Sequence, residues 1–359
     1  MKVEANNPCC ICGSEHSEFV FAKEYPEHGY PGTFSMQKCQ SCGLLFNSPR
    51  LPDDQFPALY GKNYYFFARN DQKEFLRIIN LYYRTVALVG HLIHPRKVIE
   101  IGSAKGYLLA LLKSCGWDVQ GIELSSEASR YAKEQFHVPT FTGTVEEYGA
   151  TSHQDKFPLV LAIDVIEHVL YPRKFIQRIN QIIQADGLLI IDTPNGETSH
   201  ILTEGSLWKG FNPFHIFLFS PHNLTVLLED HGYRVEKIFS YENEIHRPPG
   251  NFFQKSAFLS RNLIITFLKK LHISNACRIA YQKVCSLSKR KSEESLAHAV
   301  RLMQHHFSYD ETEDSKKELA QNCRGDNIVV FARKNSFKSL RRNRWNSRLL
   351  LPCIMKKKI

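Results

Sequence analysis

Two pairs of thiols open the chain: Cys9-x-x-Cys12 followed by Gly13, and Cys39-x-x-Cys42 followed by Gly43. Duplicated Cys-x-x-Cys turns a few tens of residues apart supply four thiolates, a set suited to a tetrahedral structural zinc. The glycine after each pair fits, because the chain must turn tightly for backbone N–H groups to point at sulfur, and glycine tolerates positive φ. A redox-active Cys-x-x-Cys and a disulfide pair are the competing readings, and neither accounts for the duplication. Cys10 is left over between Cys9 and Cys12 and competes as a ligand.

A second group lies in Val98-Ile99-Glu100-Ile101-Gly102-Ser103-Ala104-Lys105-Gly106-Tyr107. It reads as a strand, a small-residue turn and a helix. Gly102 and Gly106 let the backbone approach a ligand closely, and Glu100 offers a carboxylate to an ammonium group. Glu123 stands 21 residues beyond Gly102, at the end of the next strand, where an acid can accept both hydroxyls of a ribose.

The elements that must position these residues alternate. Apolar strands over Lys97 to Ile101, Asp118 to Glu123, Val138 to Thr142, Leu159 to Asp164 and Leu188 to Asp192 are separated by amphipathic helical stretches. That pattern predicts an α/β fold with a parallel sheet covered on both faces and a ligand site at the strands' carboxyl ends. Before it, Tyr60, Tyr64 and Tyr65 stand in an aromatic stretch, followed by a helix expected from about Asp71 to His91.

Charge divides the chain further. Residues 251–292 hold nine Lys or Arg and no acid, and residues 333–359 hold ten and no acid. These nineteen leave 27 of the 46 basic residues facing all 36 acids, so the net charge of +10 is segmental. Two basic patches predict contact with a polyanionic surface, anionic lipid or nucleic acid. The polar opening and the lack of an apolar run of ~18 residues predict a cytoplasmic chain without a membrane span.

From about Val98 to Ser240 the sequence resembles the class I S-adenosylmethionine-dependent methyltransferases, whose fold is a Rossmann-like sheet, parallel except for an antiparallel final hairpin. Glu100 to Gly106 resembles the family's first motif, Glu123 its ribose-binding acid, and Gly143-Thr144-Val145-Glu146 the loop beside adenine. Asp164-Val165-Ile166-Glu167-His168 resembles the segment beneath the methionine moiety, and His215 to Leu228 the recurrent His-x-x-x-Phe-Ser-Pro-x-x-Leu segment. The resemblance implies S-adenosylmethionine as cofactor, held by Glu100, Gly102, Ser103, Gly106, Tyr107, Glu123, Leu124, Thr144, Val145, Asp164 and Val165. Ala104 departs from the pattern, since many members carry a second glycine there. Cys39 to Arg50 is similar to the second knuckle of methyltransferases that carry a zinc ribbon ahead of this domain, a group including sugar C-methyltransferases and enzymes of polysaccharide gene clusters.

The expected organisation is a zinc ribbon over 1–59, a methyltransferase core over 60–240, a basic helical insertion over 241–326, the last core strand over 327–336 and a basic tail over 337–359. Phe252 to Leu271 reads as a basic amphipathic helix, either lying on a membrane surface or closing over the site. His168 is the expected general base, an imidazole titrating near neutrality, with Glu167 orienting it or capping a helix and His215 as a second candidate. The expected acceptor is a small molecule, sugar- or lipid-linked, methylated on carbon or oxygen. The rival is an RNA methyltransferase whose ribbon and basic segments grip phosphates. Against it stands Asp164-Val165-Ile166-Glu167-His168, where base-amino methyltransferases carry an Asn/Asp-Pro-Pro-aromatic motif. A third reading is a zinc-dependent scaffold that binds the cofactor without turnover.

Overall fold

The computed structural model describes residues 8–25, 30, 32–48, 50, 96–150, 156–241 and 323–336. The chain first forms three antiparallel strands, β1 (Ser17–Tyr25), β2 (Gly32–Cys39) and β3 (Leu45–Asn47). Then β4 (Lys97–Ile101), β5 (Asp118–Glu123) and β6 (Thr140–Thr142) alternate with helices α1 (Tyr107–Ser114) and α2 (Ser126–Phe136). Helix α3 (Val145–Ala150), β7 (Phe157–Ile163), α4 (Pro172–Ile182) and β8 (Ile183–Pro194) follow. Helix α5 (Ser199–Glu204), β9 (Phe217–Leu218), α6 (Pro221–Asp230), β10 (Tyr233–Tyr241) and β11 (Asn327–Lys334) complete the described elements.

The main sheet has seven strands in the order β10-β11-β8-β7-β4-β5-β6. β4 pairs in parallel with β5 on one side and β7 on the other, so the strand order reverses there and a crevice opens beyond their carboxyl ends. Every residue of β7 is buried, as a strand covered on both faces requires. The covering helices show the matching pattern: α4 begins at Pro172 and buries Phe175, Ile176, Ile179 and Ile182 along one stripe. β11 runs antiparallel to both β8 and β10, from Tyr233↔Lys334 to Tyr241↔Asn327. The expected final hairpin is therefore formed by strands separated in sequence by residues 242–326. The aromatic stretch at Tyr60, the helix expected from Asp71, the basic segment 251–292 and the tail 337–359 lie outside the described residues.

Several boundaries differ from the sequence expectation, among them β7, which spans Phe157–Ile163 rather than Leu159 to Asp164. The third strand begins at Thr140 rather than Val138, because Pro139 lacks an N–H for the ladder, although its carbonyl accepts from Gly121. β8 begins at Ile183 rather than Leu188. Asp186-Gly187 forms an irregularity within the strand, with Asp186 at φ 56 and the pairing passing from Phe157↔Ile183 to Leu159↔Leu188.

The cysteine module is not a separate bead. β3 pairs with β9, Leu45↔Leu218 and Phe46↔Phe217, giving a four-stranded sheet β1-β2-β3-β9. Phe34, Met36 and Leu44 lie in the same buried cluster as Phe214, Phe219 and Leu224. Among the described residues, no helix is long and apolar enough to cross a membrane.

Candidate active site

β4 ends by burying Glu100 and turning at Gly102, whose φ is +72. A side chain at Gly102 would place its Cβ 2.5 Å from Val165 Cγ2, and one at Gly106 would meet Ala132 Cβ at 2.8 Å. Both glycines are thus required by space as well as by conformation. Ala104 also lies in the left-handed region, at φ +45, which costs an alanine about 1–2 kcal/mol and explains why glycine is common there. The turn is held by Glu123: Oε2 accepts from Ala104 N at 2.8 Å and Oε1 from Ser125 N at 2.7 Å. Burial raises the Glu123 carboxyl, and the N–H groups of Ser125 and Ala104 oppose that. Each oxygen keeps a second acceptor direction for a ribose hydroxyl.

Glu100 is poised differently. Its Oε2 is buried with no hydrogen-bond partner among the described residues, as is Ser103 Oγ. Burial, helped by the nearby Glu123 charge, pushes Glu100 up to about 8. Glu100 is therefore mostly protonated at pH 7, and pairing with an ammonium group requires loss of its proton. The affinity for S-adenosylhomocysteine should rise by up to roughly tenfold per pH unit as pH approaches about 8, then level off. Calorimetry in buffers of different ionisation enthalpy would show a released proton; a flat profile, or one that falls with pH, would remove Glu100 from the cofactor site.

The side expected to face adenine carries Leu124, 53% exposed directly after Glu123, and Gly143, whose N–H donates to the Glu123 carbonyl at 2.9 Å. Thr144 and Glu147 bond each other's backbone N–H through their side chains, at 2.7 and 3.2 Å, and set the start of α3 with Val145 buried beneath. Tyr107 opens α1 but turns its ring against Tyr131 and Phe136, so its contribution to the crevice is through the backbone.

Across Gly102, the end of β7 carries the residues expected to face an acceptor. Asp164 leaves the strand at φ +51, opens to the crevice and is pushed up to about 6 by desolvation, which the Asn327 amide at 3.4 Å opposes. Glu167 is fully buried; its Oε2 accepts from Thr193 Oγ1 at 2.8 Å, and its Oε1 has no hydrogen-bond partner among the described residues. Burial, and then the Asp164 charge, raise Glu167 well above the carboxylate range. Asp192, also raised by burial, accepts from Tyr241 Oη at 2.8 Å and Asn327 Nδ2 at 3.1 Å. Asn327 thus joins two strand ends, and nothing near it in sequence announces that role.

His168 Nδ1 lies 2.8 Å from the Phe214 carbonyl and His215 Nδ1 2.8 Å from the Gly210 carbonyl. A carbonyl only accepts, so each Nδ1 is assigned the proton and each Nε2 the lone pair. The two rings are 5.0 Å apart, and ligand atoms of Glu167, His168 and His215 lie within 4.8 Å of one another. The structure corrects one expectation: burial lowers His168 to about 4, so it does not titrate near neutrality.

The thiols of Cys9, Cys12, Cys39 and Cys42 also lie within 4.8 Å of one another, with Cys9–Cys42 and Cys12–Cys39 at 3.5 Å. Sulfurs ~2.3 Å from a tetrahedral zinc would be about 3.8 Å apart, so the set fits that ion. Gly13 and Gly43, at φ 73 and 74, donate back to the carbonyls of Cys9 and Cys39, making the knuckles equivalent. Cys10 stands outside this set, its thiol pushed up by burial.

A family model described as "Methyltransferase domain" matches residues 67–238. Ubiquinone biosynthesis O-methyltransferase of Actinobacillus pleuropneumoniae serotype 7 is 27% identical over 108 residues, 28% of this chain and 46% of that protein. The mitochondrial ubiquinone biosynthesis O-methyltransferase of Bos taurus is 28% identical over 206 residues, 52% of this chain and 54% of that protein. The chain thus spans about half the length of these curated relatives. A solved structure of a SAM dependent methyltransferase from Archaeoglobus fulgidus aligns with a TM-score of 0.44 at 18% identity, over 76% of this chain and 100% of that one. The matched family model and the seven-stranded sheet closed by an antiparallel hairpin together show a class I S-adenosylmethionine-dependent methyltransferase domain within this chain.

Proposed function

We propose that the protein methylates a hydroxyl of a small acceptor, sugar- or lipid-linked, and that a zinc held by Cys9, Cys12, Cys39 and Cys42 is structural. The carrying observation is that Glu100 and Glu123 stand at the carboxyl ends of β4 and β5 while the Glu167–His168–His215 cluster follows the adjacent β7, with Val165 packed on Gly102 between these segments. The names of the curated relatives support oxygen as the methylated atom. S-adenosylmethionine, when bound, supplies an electrophilic methyl on a sulfonium. Glu100 pairs with the ammonium, Glu123 accepts from the ribose, and Leu124 and Val145 flank the base. His168 and His215 would hold the acceptor hydroxyl toward the methyl donor. His168 Nε2, whose Nδ1–H is braced by the Phe214 carbonyl, would take the hydroxyl proton as the oxygen is methylated. Loss of S-adenosylhomocysteine binding in Glu123→Ala, argued in the Discussion, tests the cradle.

A second reading of the proton step follows from His168 being held near 4, where it is a weak base. Both histidines have the tautomer found in metal ligands, Nδ1–H on a carbonyl and the lone pair on Nε2, converging on a buried carboxylate. A divalent cation at Glu167, His168 and His215 would lower the pKa of a bound hydroxyl instead. Titration with Mn2+ followed by electron paramagnetic resonance should show a site abolished in Glu167→Gln and in His215→Ala; no binding in the wild type leaves His168 as the base.

The basic segments 251–292 and 337–359 are proposed to bring the chain to an anionic membrane. Flotation with phosphatidylglycerol vesicles should fall at least tenfold when 337–359 are removed, on the order of 1 kcal/mol per basic residue being lost. Unchanged flotation, with an RNA gel shift that disappears on the same truncation, would favour the nucleic-acid reading.

A further inference from the structure

The cysteine module touches the methyltransferase domain at an unusual place: the two segments that carry His168 and His215. Asn47, at the end of β3, is buried, and its side-chain Nδ2 faces three carbonyls of one loop, Asn212 at 3.4 Å, Pro213 at 3.2 Å and His215 at 3.1 Å. Its backbone N–H donates to the Ile216 carbonyl at 2.9 Å, while Ile216 N–H donates to the Glu167 carbonyl at 2.8 Å. The ladder β3-β9 continues directly from this point. One amide of the cysteine module thus gathers the loop that supplies His215 and, through Phe214, the carbonyl that sets the His168 tautomer.

The neighbouring segment is held as well. Arg50 Nη1 donates to the Leu170 carbonyl at 3.3 Å and its guanidinium lies 5.6 Å from the Tyr171 ring centre. Arg173 Nε donates to the Cys10 carbonyl at 2.8 Å, and its Nη2 to the Ile11 carbonyl and to Asp230 Oδ2. Asn223 Nδ2 donates to the Cys42 carbonyl at 3.0 Å. Both knuckles are therefore tied to the helices that flank the acceptor face. The cofactor cradle, by contrast, is braced within its own βαβ unit, by Glu123 on Ala104 and Ser125.

We propose that the cysteine module is a wall of the acceptor site, and that Asn47 is the positioning residue that holds His215 opposite His168. Donation to three carbonyls makes Asn47 a local cross-brace, and without it the Asn212–His215 backbone keeps neither its spacing from Gly210 nor its contact with His168. This rests on the reading that the acceptor meets the cofactor at His168 and His215.

The test is tautomer-resolved NMR on full-length protein labelled with 15N-histidine, with signals assigned from His168→Gln and His215→Gln, alongside calorimetry with S-adenosylhomocysteine. In Asn47→Ala the His215 imidazole should pass from a single Nδ1–H form to a mixture of tautomers. Cofactor affinity should stay within about twofold, as for sites without shared partners. Ile11→Ala, which removes a buried side chain of the first knuckle and none of the Asn47 hydrogen bonds, should lower the melting temperature and leave the His215 signal in place. A His215 signal unchanged in Asn47→Ala, or moved equally in Ile11→Ala, overturns the proposal. Failure of the wild type to bind S-adenosylhomocysteine would instead overturn the methyltransferase reading, so the two failures are distinguishable.

Discussion

Replacing Glu123 with alanine is expected to weaken S-adenosylhomocysteine binding by at least a hundredfold. The carboxylate has two roles. It accepts from Ala104 N and Ser125 N at 2.8 and 2.7 Å, linking the turn after β4 to the turn after β5. Hydrogen bonds to a charged group contribute about 1.5–3 kcal/mol each, so losing the pair releases Ala104 from a left-handed conformation it does not favour. In the proposed complex the same oxygens would accept from the ribose. Two lost ribose bonds amount to ~3 kcal/mol or more, which is ~100-fold in affinity. Glu123→Gln keeps one acceptor oxygen and should fall between. Calorimetry measures both, and an alanine variant that binds as tightly as the wild type would show that the acid only props the turn.

Stripping the metal, or Cys39→Ser, should lower the melting temperature by about 10 °C or more. Structural zinc in small Cys-rich modules contributes on the order of 10 kcal/mol to folding, and even a third of that is large against the ~2–4 °C per kcal/mol expected for a domain of this size. In this chain the effect is transmitted through a shared core. Phe21 lies 4.7 Å from the Phe211 ring and Tyr25 6.0 Å from the Phe214 ring, so the module cannot melt without exposing the domain. Calorimetry should show a single transition that moves as a unit, with a single zinc released per chain in a dye assay. Two transitions, with the second indifferent to chelator, would mean that the cysteine module and the methyltransferase sheet fold independently.

The cradle is legible in the sequence because its parts are neighbours along the chain. Glu100, Gly102 and Gly106 sit on one strand-turn-helix, and Glu123 closes the next strand of the same βαβ unit, so their spacing carries their geometry. β4, β5 and β11 likewise lie where apolar runs begin and end. The start of β8 at Ile183 was not legible, because Asp186 and Gly187 interrupt the apolar run while the ladder absorbs them as an irregularity. The titration of His168 has no local signature, since an imidazole moves to about 4 only when the surrounding protein desolvates it.

Local order therefore determined the class of fold, the placement of Glu100, Gly102, Gly106 and Glu123 at adjoining strand ends, and the four thiols, because helix and strand periods and turn-forming glycines act over a few residues. Tertiary packing alone decided the rest. It brought His215 beside His168 from another segment, laid Asn327 between Asp164 and Asp192, and set Asn47 against the loop of His215. Those contacts join residues far apart in the chain, so no spacing records them. They exist because buried polar groups must find partners wherever the closed core places them, and only the assembled sheet determines where that is.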